Sequence, residues 1–109
     1  MNDHSLTLVV FCTCPDQNVA AQIARQLVAD KLAACVNILP GISSVYEWQG
    51  EVCQDEEVQL IIKTTHQAFD SLSQAIVAAH PYELPEVIAV PVKAGLPAYL
   101  DWLNNNVKA

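Results

Sequence analysis

Seven consecutive residues, His80-Pro81-Tyr82-Glu83-Leu84-Pro85-Glu86, carry an imidazole, a phenol and two carboxylates between a helical pattern and the apolar run Val87-Ile88-Ala89-Val90. An imidazole titrates near neutrality, so His80 reads as a metal ligand or proton carrier. The plainer reading is a helix-end histidine that bonds to the last carbonyls and is favoured by the dipole there. Pro81 cannot continue a helix, and Pro85 restrains Leu84 to an extended backbone. The polar groups are therefore held on a rigid connector.

The second set is Cys12-Thr13-Cys14, in a run that reads as a strand. Residues two apart in a strand face the same side, so the pair offers two thiols to a soft ion such as Cu(I). Free cysteines are also common core residues, and that reading stands beside the first. Cys35, beside Ala33-Ala34, reads as core filler; Cys53, just past a turn, reads as a surface or subunit-contact residue. In the acidic run Asp55-Glu56-Glu57, alternation sends the two glutamates to opposite sides. One of them can reach a cleft and there pair with Lys63 or bind a cation. Tyr46, Trp48, Tyr82 and Trp102 read as packing residues with a polar handle. His4 and His66 read as solvated. No serine triad, phosphate-binding glycine loop or paired-Cys zinc motif is present.

These residues need a frame to position them. The 109 residues suit one domain, spanning 1–109, large enough for a real core. With 52% hydrophobic and 16% charged residues, the charged fraction is low for so small a surface, which predicts apolar burial between subunits. The net charge of −7, with five scattered Lys and Arg, excludes nucleic-acid binding through clustered cations. No apolar run reaches the ~18 residues of a membrane span. Met1-Asn2-Asp3-His4 lacks the basic segment of a secretory signal, which predicts a cytoplasmic protein whose four cysteines stay reduced.

Leu6 to Cys14 is nearly all apolar or Thr and reads as a strand buried on both faces. Asp16 is placed to cap a helix whose stripe is Val19, Ile23 and Leu27, ending near Lys31. A strand from Cys35 is interrupted at Pro40-Gly41, most simply by a bulge, and resumes through Val45–Trp48. Gln49-Gly50 turns the chain into a return arm, Glu51 to Thr65. A helix with Phe69, Leu72 and Ile76 inward, a strand over Glu86–Val92 and a helix near Pro97–Asn106 complete the chain. The order β-α-β-β-α-β plus a helix gives an α+β, ferredoxin-like split βαβ sandwich. Its hairpin arms, roughly fifteen residues each, far exceed ordinary strands and must overhang the sheet.

Lys31-Leu32-Ala33-Ala34-Cys35-Val36-Asn37 is followed by Pro40-Gly41 and by Ser44-x-Tyr46-x-Trp48-x-Gly50. Glu57, Lys63-Thr64-Thr65, His80-Pro81-Tyr82-Glu83-x-Pro85-Glu86 and Tyr99-Leu100-x-Trp102-Leu103 complete the set. Over Leu6 to Leu103 the chain resembles the CutA divalent-cation-tolerance family, bacterial type. That resemblance implies a cytoplasmic homotrimer with hairpins completing intersubunit sheets, and a copper-binding, non-enzymatic role in the response to metal ions. It also implies metal ligands at Cys12 and His80; relatives can carry two adjacent histidines where this chain has Ala79-His80. The alternative is a PII-like small-ligand or protein-interaction trimer, with an intersubunit cleft lined by Glu57, Lys63, Tyr82 and Glu83.

Overall fold

The computed structural model describes residues 6–108, so the reading of His4 lies outside the described residues. The elements run β1 (Thr7–Cys14), α1 (Gln17–Ala29), β2 (Cys35–Trp48), β3 (Glu51–Thr65), α2 (Phe69–Ala79), β4 (Ile88–Pro91) and α3 (Pro97–Asn105). The strands form one antiparallel sheet in the order β2-β3-β1-β4. β1 is central, and α1 and α2 pack together on one face of it.

Local chemistry sets the boundaries. Asp16 has extended backbone and its Oδ1 accepts the Val19 amide at 2.9 Å, which satisfies one free donor at the start of α1. The register of β2 against β3 slips between Leu39 and Ile42, so Pro40-Gly41 is the expected bulge. Gln49 and Gly50 both have positive φ, 51° and 84°, the geometry that lets a two-residue turn follow the twist of its strands. α2 stops at Ala79 because His80, ahead of Pro81, adopts φ −84° and ψ 137°.

The core lies between the helices and one face of the sheet. Val10, Cys12 and Cys14 of β1 meet Val58, Leu60 and Ile62 of β3; Ile23 and Leu27 of α1 and Leu72 and Ile76 of α2 close over them. Burial of each large aliphatic side chain contributes about 1.5–3 kcal/mol. β1 is not buried on both faces, as its composition predicts. Val9, Phe11 and Thr13 remain half-buried because α1 and α2 lie on the other side and α3 reaches this one at the Thr7 end. Thr7 is the exception: it is fully buried, and its Oγ1 donates to Asn104 Oδ1 of α3 at 3.0 Å.

Two further expectations are corrected. The last strand is four residues, not seven, although the Val92 amide still donates to Thr7 O at 2.9 Å. Glu86 and Val87 stay in the connector, because the β1–β4 ladder ends at Phe11 and Ile88. Cys35 is half-buried at the very start of β2 and lies outside the core.

β3 pairs with β1 only over Val58–Thr65, so the rest of the hairpin projects beyond the sheet, and the chain measures 49 × 25 × 22 Å. On α2, Ile76 is fully buried and Val77 is 57% exposed. Ile76→Ala is expected to cost about 3 kcal/mol and Val77→Ala less than about 0.5 kcal/mol, read from urea unfolding midpoints. Equal effects of the two changes contradict this packing.

Candidate metal centre

The strand period puts Cys12 and Cys14 on the helix side of β1, both at 0% exposure. His80 arrives from the end of α2 and is itself buried. The three side chains offer ligand atoms that all lie within 4.8 Å of one another. Two donors about 2.3 Å from one ion and 120° apart stand roughly 4 Å from each other, so a small contraction closes the set on a metal. Cys12 and His80 are thus brought together within one chain. Cys14 is a third donor that the reading of its position left open between ligand and core.

The two thiols are not equivalent. A hydrogen bond from Cys12 to Cys14, reinforced by burial, raises the Cys12 thiol far above its ordinary value. The same bond lowers Cys14, making it the readier thiolate of the pair. Cys12 Sγ also lies 3.8 Å from Thr13 O, an alternative acceptor.

His80 does not bond to the last carbonyls of α2 through its ring; only its backbone amide does so, to Ile76 O at 2.9 Å. Its Nδ1 accepts the Tyr82 backbone N–H at 3.1 Å, and its Nε2 lies 2.7 Å from Thr13 O. A backbone N–H can only donate and a carbonyl only accept, so these partners assign the ring proton to Nε2. The His80 and Tyr82 rings stack at a tilt, with centroids 4.6 Å apart.

Tyr82 carries the connector to a second feature. Its hydroxyl donates to Glu57 Oε2 at 2.6 Å, and Glu57 is only 8% exposed. Around this pair opens a cleft of about 630 Å³, lined also by Thr13, Tyr46, Trp48 and Glu83. Glu57 and Thr13 point away from the helices, so the cleft and the thiols lie on opposite sides of β1. Glu57, Tyr82 and Glu83 line this cleft of the single chain, and Lys63 does not. Lys63 opposes Cys35, well along β3, and its Nζ donates to Asn37 Oδ1. Tyr46 donates its hydroxyl to Asp55, which raises its ionisation to about 12. Burial and then the bond to Glu57 raise Tyr82 further above its ordinary value. Cys53 is half-buried near the hairpin turn, and His66 is exposed.

The model of a family described as CutA1 divalent ion tolerance protein matches residues 8–106. The divalent-cation tolerance protein CutA of Thermus thermophilus is 51% identical over 98 residues, covering 90% of this chain and 95% of that relative. The solved structure of CutA from Xylella fastidiosa superposes with a TM-score of 0.93 at 46% identity, covering 95% of this chain and all of that one. A structure titled as the periplasmic divalent cation tolerance protein CutA from Archaeoglobus fulgidus gives 0.90 at 35% identity, over 94% of this chain and 99% of its own.

The raised Tyr82 has a definite sign in stability. The folded chain favours the neutral phenol, so this contribution is complete below the unfolded value of about 10 and is lost as pH rises through the folded one. In an ultraviolet titration, Tyr82→Phe is expected to remove one late-ionising phenol, and Glu57→Gln to lower its midpoint. Ionisation of Tyr82 at the ordinary value contradicts the assignment.

Proposed function

The chain belongs to the CutA1 divalent ion tolerance family, and we propose that it acts there as a cytosolic, trimeric copper-binding protein, holding Cu(I) between Cys12, Cys14 and His80. The observation that carries this reading is the convergence of three buried soft donors within 4.8 Å. Thiolate pairs with imidazole select Cu(I) over hard ions such as Mg²⁺ or Ca²⁺, which prefer oxygen. Cys14 supplies the third ligand beside Cys12 and His80. Binding at either ring nitrogen of His80 replaces one of its present hydrogen bonds, to Thr13 or from Tyr82. If Nε2 takes the ion, its proton leaves. Cys14, already favoured as the thiolate, is the first sulfur to engage.

In this reading the three buried side chains serve to hold an ion. The four cysteines are free thiols, the form a reducing cytosol maintains. Trimerisation is supported by apolar side chains exposed on the single chain: Val45 at 64%, Trp48 at 43% and Val52 at 77% on the hairpin, and Ile88 at 58% on β4. A second reading, a PII-like small-ligand or interaction trimer, rests on the cleft beside Glu57 and Tyr82 and is compatible with the first.

In a competitive Cu(I) titration under strict reduction, the wild type is expected to bind one ion per chain. Cys12→Ser, Cys14→Ser and His80→Ala should each weaken binding by at least about tenfold, or 1.4 kcal/mol. A Cys12→Ser/His80→Ala double variant that binds like the wild type removes the proposed site. Light scattering is expected to give a particle of three 11.9 kDa chains; a monomer at micromolar concentration rules the assembly out.

A further inference from the structure

We propose that the cleft on the side of the sheet away from α1 and α2 binds a small organic cation, an ammonium or guanidinium group on an apolar or aromatic stem. This goes beyond the copper site and gives a ligand class to the cleft of the second reading, on which it rests.

The charge of the lining is the first argument. Glu57, Glu83 and Glu86 contribute carboxylates, and no lining residue is a Lys or Arg. Phosphate-bearing ligands and carboxylic acids meet only like charge there. Glu57 decides the matter, since it is 92% removed from solvent and its one side-chain hydrogen bond among the described residues comes from a neutral phenol. A carboxylate has acceptor capacity beyond one phenol, and a cation in the cleft is the partner that would use it. The walls give the second argument. Tyr46, Trp48 and Tyr82 present aromatic surface, which attracts a cation through the ring quadrupole and accepts an apolar stem.

An inorganic ion does not fit the same place. Among the described residues, Cys12, Cys14 and His80 are the group whose three ligand atoms converge; Glu57, Glu83 and Glu86 form no such group. Hard divalent cations need about six oxygens at close range. Dispersed carboxylates around an aromatic-walled space of about 630 Å³ match a molecule, not an ion.

The test uses the full chain in its assembled state, stripped of metal by a chelator, with phenethylamine as the cationic probe. 2-Phenylethanol and phenylacetate supply the neutral and anionic versions of the same stem. By calorimetry, phenethylammonium is expected to bind at least about tenfold more tightly than either control, as a 1.4 kcal/mol charge preference requires. Added salt and Glu57→Gln should each weaken it, and so should a Glu83→Gln/Glu86→Gln variant, whose changes are exposed and leave the fold undisturbed. Cys12→Ser/Cys14→Ser, which removes two of the proposed copper ligands and keeps the His80 ring under Tyr82, should bind the amine like the wild type, so failure of the copper reading and failure of this one are separable. Equal binding of the alcohol, indifference to both glutamine variants, or no binding of the amine at millimolar concentration overturns the proposal.

Discussion

One imidazole ties the end of the central strand to the connector that follows α2. β4 runs out where Ile88 meets Phe11, so β1 extends beyond it towards Cys14 with no strand partner on that side. The Thr13 carbonyl in this stretch bonds to the His80 ring. Satisfying a half-buried carbonyl is part of completing the sheet. The ring's other nitrogen holds the Tyr82 amide and thereby aims the Tyr82 hydroxyl at Glu57. The thiol pocket and the cleft are joined through that ring.

β1 then acts as a partition. Cys12 and Cys14 face the helices, where free thiols pack as small hydrophobic groups and leave the core intact. Thr13, between them in sequence, faces the cleft with its acidic and aromatic lining. Period-two alternation thus gives one short strand a soft, dry side and a hard, wet side. The connector is the part of the chain that touches both.

Much of this frame is legible from local chemistry. The Asp16 cap, the Pro40-Gly41 bulge, the Gln49-Gly50 turn and the stop before Pro81 each follow from what one or two residues can do with their backbone. Strand parity likewise places both thiols on one side. Other features depend on distance in space, which parity does not carry. Glu57 and Lys63 share a face of β3, yet six residues of strand separate them by about 20 Å, so only Glu57 reaches the cleft. The exposure of the second face of β1 depends on how many helices cover the sheet, and apolar composition alone reads the same in either case. Whether Cys14 meets His80 depends on α2 ending beside β1, which is a matter of packing. Cys35 has core-like neighbours in sequence but sits where the strand begins, at the rim.

The topology also fixes an order in time. β1 precedes everything it pairs with: its sheet neighbours are Val58–Thr65 and Ile88–Pro91, and Thr13 waits for a residue 67 positions later. Contacts so distant in sequence form late, after the intervening loop has been closed. During synthesis the two thiols therefore emerge long before the imidazole, on a strand with neither edge paired. A nascent chain carries a flexible dithiol segment, whereas the finished one carries a rigid three-donor pocket. Convergence of the three donors is thus a property of the completed chain.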